Sequence, residues 1–249
     1  MKIVDSLEKL RKFRNQMNGT IGLVPTMGFL HAGHISLVEK ARSECDHVIV
    51  SIFVNPTQFV LTEDLESYPR DLEKDAILLE QAGADLVWTP TPDIMYPNGF
   101  QTWVTVEKLT QPLEGQFRPE HFRGVTTVVA KLFNATQPNR AYFGQKDAQQ
   151  AAVLKRMVLD LNFPIEMVIC PIVREADNLA MSSRNTYLSP EQRKAATVLS
   201  KSLFAAQALF NQGERNTNTL REYVKNIVDT EPLATLQYIS CADALTLQE

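Results

Sequence analysis

A chain of 249 residues with 44% hydrophobic and 22% charged residues can bury one sizeable core and a smaller second one, which excludes the disordered and fibrous classes. The formal charge of −4 leaves no global field for nucleic acid, and Cys45, Cys170 and Cys241 form neither a C-x-x-C pair nor an even framework, which speaks for a reducing compartment and against structural zinc. No apolar run approaches the ~18 residues of a membrane span, and residues 1–16 carry no signal-peptide core, so the expectation is a cytoplasmic protein without a membrane or nucleic-acid partner.

The spacing predicts a helix over residues 6–17, with Leu7, Leu10 and Phe13 on one face, ended by Asn18-Gly19. Residues 20–25 read as a first buried strand and residues 33–45 as a second helix. Residues 47–54 form an apolar, β-branched run suited to a parallel strand buried on both faces, ending in the polar loop Asn55-Pro56-Thr57-Gln58-Phe59. A helix over residues 69–82, started by Pro69, leads to a strand at 85–88. Residues 102–106 alternate as an edge strand would, residues 113–124 read as an irregular loop, and residues 125–136 as a helix. Residues 140–144, 147–161 and 165–171 then give strand, helix and strand. Alternating strands and helices predict a parallel, doubly wound α/β sheet.

The pattern changes after about Asn185, which sets the expected domains at residues 1–185 and 186–249. Ser189 as N-cap and Pro190 at the first helical position open one long helix ended by Gly213. A helix over 220–228 and a strand over 236–242 complete the expectation of a small α+β unit hinged near Tyr187.

Three polar stretches sit beyond strand ends, where ligands bind in open α/β sheets. The first runs Pro25-Thr26-Met27-Gly28-Phe29-Leu30-His31-Ala32-Gly33-His34 from a strand into a helix, and aims backbone N–H groups at an anion. Two imidazoles three residues apart share a helix face, with Cβ atoms roughly 5–6 Å apart. The second is Gly144-Gln145-Lys146-Asp147 followed by Gln150, where Lys146 supplies an ammonium suited to phosphate. The third includes Val173 and ends in Met181-Ser182-Ser183-Arg184, two hydroxyls and a guanidinium suited to polyphosphate.

His31-Ala32-Gly33-His34 resembles the HxGH signature of the nucleotidyltransferase superfamily, and Met181-Ser182-Ser183-Arg184 its second, serine-bearing signature. With Phe53-Val54-Asn55-Pro56-Thr57-Gln58-Phe59, Tyr68-Pro69-Arg70 and Phe143-Gly144-Gln145-Lys146-Asp147, in that order, the chain resembles the pantoate–β-alanine ligase family. The resemblance implies a Rossmann-like domain with a smaller C-terminal lid, a homodimer, and ATP with Mg²⁺. It also implies ligation of pantoate and β-alanine through a pantoyl adenylate. It assigns His31, His34, Lys146, Ser182, Ser183 and Arg184 to the chemistry. Met27 to His34, Gly144 to Asp147, Val173 and Met181 would line the nucleotide, and Gln58 and Gln150 would hold pantoate. Asp75 matches a position associated with the metal in some members, although no metal ligand is assigned here. A nucleotidyltransferase acting on a phosphorylated substrate would carry a basic pocket where Gln58 and Gln150 stand. Asn178 occupies a position where glycine is more usual, as a residue tolerant of positive φ. Members commonly continue beyond Thr246-Leu247, so the resemblance implies a lid lacking its last strands.

Overall fold

The computed structural model describes residues 1–59 and 65–249, which divide into two compact units, Met1–Ile172 and Val173–Glu249. Residues 173–185, expected in the first domain, group with the second unit.

In the first unit the elements run β1 (Lys2–Val4), α1 (Leu7–Arg14), β2 (Ile21–Thr26), α2 (Ala32–Glu44), β3 (His47–Ile52), a 3₁₀ turn at Pro56–Gln58, α3 (Leu72–Gln81), β4 (Leu86–Trp88) and α4 (Pro92–Met95). They continue with α5 (Glu114–Phe117), α6 (His121–Thr136), β5 (Arg140–Gly144), a 3₁₀ turn at Gln145–Asp147, α7 (Ala148–Asp160) and β6 (Glu166–Cys170). The strands form a parallel sheet in the order β1-β4-β3-β2-β5-β6. Alternate residues of each strand feed two cores. Ile21, Leu23, Ile49 and Leu86 pack with α6 residues such as Val129 and Phe133, while Val24, Val48, Val50 and Val87 pack with Leu37, Val38 and Ala41 of α2. Chain order reverses direction across the sheet between β2 and β5, so the crevice at their carboxyl ends is the topological switch point.

Several elements differ from the sequence expectation. Helix α3 starts at Leu72 because the Asp71 carboxylate, not Pro69, caps it by accepting from Lys74 N at 3.1 Å. Residues 113–124 are partly helical: α5 lies within them, and α6 begins at His121 with Phe122 buried. Residues 102–106 join no sheet. The Val104 N–H instead donates to Thr127 Oγ1 at 3.0 Å, and Thr126 Oγ1 donates to the Val104 carbonyl at 2.6 Å, so hydroxyls on α6 replace a ladder partner. Strand β1 escapes a reading from sequence because three residues show no period.

The second unit holds a 3₁₀ turn at Ser183–Tyr187, α8 (Pro190–Ala195), α9 (Val198–Asn211) and α10 (Thr217–Val228). The expected long helix is two, broken where Thr197 Oγ1 bonds back to the Lys194 carbonyl at 2.8 Å. Ser189 and Gln192 form the capping box expected at the start of α8. Helix α10 begins three residues earlier than expected, because the Asn216 side chain caps it, Oδ1 accepting from Asn218 N at 2.9 Å. Residues 236–242 form no strand, and ladder pairing among the described residues of this unit is limited to the antiparallel bridge between Arg174 and Ala180. No helix among the described residues is long and apolar enough to cross a membrane.

Candidate active site

The loop from β2 to α2 is built on two consecutive left-handed residues, Gly28 at φ +84° and Phe29 at φ +51°. A Cβ on Gly28 would lie 3.0 Å from Ile52 Cγ2 and 3.1 Å from Asp75 Oδ2, so the site requires glycine for space as well as conformation. His31 then caps α2: its Nδ1 accepts from Gly33 N at 3.1 Å, and His34 Nδ1 accepts from His31 N at 3.4 Å. The two rings lie against each other, tilted by 32°, with centroids 4.0 Å apart.

These caps decide the chemistry of both imidazoles. A ring nitrogen that accepts a hydrogen bond carries no proton, so a neutral imidazole that caps through Nδ1 bears its proton on Nε2. Burial, followed by the charges of His31 and Lys146, pushes His34 from its ordinary 6.5 down to about 3. His34 is therefore a neutral N–H donor at physiological pH, suited to a phosphate oxygen.

Beyond β3, Asn55 is buried at 1% exposure and organises the turn that carries Gln58. Its Oδ1 accepts from Tyr96 Oη at 2.8 Å and Thr57 Oγ1 at 2.9 Å, while its Nδ2 donates to Gln58 Oε1 at 3.0 Å and the Gly124 carbonyl at 3.2 Å. The Gln58 carbonyl accepts from His121 Nδ1 at 2.8 Å and Arg118 Nη2 at 3.1 Å. With Oε1 committed to Asn55, Gln58 offers Nε2 as donor; its present acceptor is the thioether of Met27, at 3.3 Å. A thioether is a weak acceptor, readily exchanged for a carboxylate or hydroxyl oxygen.

Beyond β5, Gly144 adopts φ −84°, with nothing within 4 Å of an added Cβ. Lys146 is exposed and lies 3.6 Å from Asp147. The two glutamines that follow divide their work. Gln149 is buried and fixes residues 109–114 by donating to the Leu109 and Pro112 carbonyls at 2.9 and 2.8 Å and accepting from Glu114 N at 3.1 Å. Gln150 is half-buried one position further along α7. The loops of β3, β2 and β5 thus emerge at the carboxyl ends of neighbouring strands; the His31 and His34 rings are adjacent, His34 feels the Lys146 charge, and Gln58 reaches Met27 of the histidine loop.

In the second unit, the turn from Val173 to Met181 is closed by Met181 N donating to the Val173 carbonyl at 3.0 Å. Arg193 clamps it, with Nη1 2.7 Å from Asp177 Oδ2 and Nη2 2.7 Å from Glu175 Oε2. Asn178 has φ +71°, the conformation for which its residue type is expected to be tolerant. Ser182 Oγ accepts from Arg184 N at 3.3 Å, and Ser183 is buried.

A family model described as pantoate-beta-alanine ligase matches residues 2–249. The chain belongs to the pantoate–β-alanine ligase family. Among its relatives, the pantothenate synthetase of Roseiflexus sp. (strain RS-1) is 57% identical over 249 residues, covering 100% of this chain and 90% of that protein. The crystal structure of pantothenate synthetase from Thermus thermophilus matches with a TM-score of 0.95 at 48% identity, over 99% of this chain and 89% of that one. The pantoate-beta-alanine ligase of Francisella tularensis, solved in complex with beta-gamma ATP and beta-alanine, matches with a TM-score of 0.78 at 37% identity, over 91% and 86% of the two chains.

For a ligase of this family, sequence reasoning misses the residues that orient the others. Asn55 lies inside a quoted motif without a role, and Tyr96, Arg118, His121 and Gly124 are outside the candidate set. Asp75 is outside that set too, noted only for its match to a family metal position, whereas its oxygens accept from the Phe29 and Leu30 amides at 2.8 and 2.7 Å. Spacing gives no access to partners 41 residues apart, such as Asn55 and Tyr96.

Proposed function

We propose that the chain joins pantoate to β-alanine in two displacements. A pantoate carboxylate oxygen attacks the α-phosphorus of ATP and pyrophosphate leaves. The β-alanine amine then attacks the acyl carbon of pantoyl adenylate, giving pantothenate and AMP. The observation that carries this reading is the pair of imidazoles at the start of α2, His34 among them as a neutral donor, together with the oriented amide of Gln58 and the ammonium of Lys146 at the ends of β2, β3 and β5. A weak nucleophile meeting a polyanion gains most from alignment and charge neutralisation, which these groups supply.

In this reading His31 and His34 donate through Nε2 to phosphate oxygens, and Lys146 stabilises charge at the α-phosphate. Neutral His34 is a poor proton donor, so its role is electrostatic. Gln58 and Gln150 take pantoate, whose hydroxyls and carboxylate suit amides. Met27, Gly28, Phe29, Leu30, Ala32, Gly33, Gly144, Gln145 and Asp147 lie along the nucleotide. From the second unit, Val173, Met181, Ser182, Ser183 and Arg184 are assigned to ATP, with the last three on the pyrophosphate; this rests on the family's second signature. Mg²⁺ bound to the triphosphate would supply further charge neutralisation. Among the described residues no group of three His, Cys, Asp or Glu side chains is placed to hold a metal, and the Asp75 oxygens are directed at the loop amides. We also assign the protein to the cytoplasm, with no nucleic-acid partner, and to a homodimer. Trp103, 40% exposed in the extended segment 102–106, is the suggested contact.

Incubation with ATP, Mg²⁺ and pantoate, with and without β-alanine, tests the reaction. Formation of AMP that requires both carbon substrates is the expected result; AMP release indifferent to pantoate overturns it.

A further inference from the structure

We propose that Asp75 is a positioning residue for the nucleotide loop: its carboxylate fills an anion-binding nest in the loop and so sets where His31 and His34 stand. This rests on the nucleotide role given to those histidines above.

Asp75 lies in the first turns of α3, 46 residues from Phe29 in sequence, and is buried at 1% exposure. Oδ2 accepts from Phe29 N at 2.8 Å and Oδ1 from Leu30 N at 2.7 Å. Two successive amides aimed at one anion, beside a left-handed residue, form the concavity that elsewhere binds phosphate. Here the protein supplies the anion itself. The amides of Phe29 and Leu30 are thereby occupied, and the nucleotide-facing donors of this segment are the imidazoles that follow.

Phe29 is a bulky residue at φ +51°, a conformation held only when the surroundings impose it. Asp75 imposes it from outside the loop, and the conformation aims the chain into the His31 cap. Lys74 Nζ, on the same helix, lies 5.9 Å from the Phe29 ring centre and adds a second contact. Burial raises the Asp75 carboxyl above the ordinary carboxylate range against the opposing pull of the two amides. A buried charge of this kind is retained where its hydrogen bonds hold something in place.

Asp75→Asn keeps the size but turns an NH₂ group toward one of the two amides. In the full-length enzyme, kcat should fall about 10- to 100-fold, as expected for misplaced reacting groups, while KM for pantoate stays within about twofold. Amide exchange at Phe29 and Leu30, followed without substrate, should accelerate. Asp75→Glu retains both acceptors one methylene out of place and should show a smaller kcat loss; it serves as the reading if the Asn variant does not fold. A folded variant with parental kcat and KM, or one that loses only Tm, overturns the proposal. A His34→Ala control separates the two readings. If it is fully active, the role of the histidines falls, whereas the exchange data still report whether Asp75 holds the loop.

Discussion

Gly124 of α6 and the Thr57 carbonyl approach so closely that a Cβ on Gly124 would sit 2.3 Å from that oxygen and 2.8 Å from Gln58 N. Helix α6 therefore meets the Gln58 turn backbone to backbone. Intrinsic propensity favours Ala over Gly inside a helix by up to about 1 kcal/mol, but the steric conflict involves main-chain atoms and dominates. Gly124→Ala should shift the Gln58 turn, raise KM for pantoate about tenfold or more, and lower Tm. A variant with unchanged KM would show that the turn moves without consequence.

Tyr96 reaches Asn55 Oδ1 at 2.8 Å and Thr57 Oγ1 at 3.1 Å from outside the turn. Tyr96→Phe removes a hydroxyl and leaves a buried amide oxygen with one donor fewer. The expected cost is about 1 kcal/mol of stability, with a raised KM for pantoate and no change in KM for ATP. Chemical denaturation and steady-state kinetics on the same preparation check both halves.

His34 gives the protein an acid sensitivity of definite sign. Its native value of about 3 lies below the ordinary 6.5, so between those limits the unfolded chain binds the proton and the native chain does not. Stability is complete above about pH 6.5 and declines as pH falls, with a slope of at most about 1.4 kcal/mol per pH unit from this group. Urea midpoints measured from pH 7 to pH 4 should fall more steeply for the parent than for His34→Gln. Parallel curves would show that His34 titrates normally.

Lys146 and Gly144 allow chemistry to be separated from folding. Lys146 is exposed at 41% and its ion pair with the adjacent Asp147 spans 3.6 Å, so Lys146→Ala should leave Tm unchanged within about a degree. AMP formation should fall by about two orders of magnitude or more, and a near-normal rate would remove Lys146 from the reaction. Gly144 has a negative φ and open space beside it. Ala is therefore accommodated by the fold, and any rise in KM for ATP in Gly144→Ala reports a ligand passing close to the backbone.

The parallel sheet is legible in the sequence because its strands are buried on both faces: the apolar run at His47–Ile52 and the β2 segment Ile21–Thr26 admit few other readings. The histidine loop, the Lys146 turn and the Ser182 turn are legible because each follows a strand or shows a local motif. What stays hidden depends on contacts between distant segments. The first turn of α6 reads as loop until Gly124 is seen against Thr57, residues 102–106 read as a strand until Thr126 and Thr127 are seen to satisfy Val104, and Asp75 carries only a family likeness until it meets Phe29 and Leu30. Alternation in sequence reports a half-buried extended segment, whatever its backbone pairs with.

The reciprocal caps at the start of α2 give two side chains a double duty. The nitrogens that close the helix end are Nδ1 of His31 and His34, and the Nε2 atoms, to which the proposed function gives the phosphate, are on the far side of the same rings. Under the proposed nucleotide role, folding of that helix end sets the Nε2–H tautomer before the nucleotide arrives, so its binding calls for no redistribution of a proton. For mutagenesis the two duties are inseparable with alanine, which uncaps the helix as it removes the donor. Asparagine at position 31 separates them, because its side-chain oxygen caps a helix well and its reach is too short to replace Nε2.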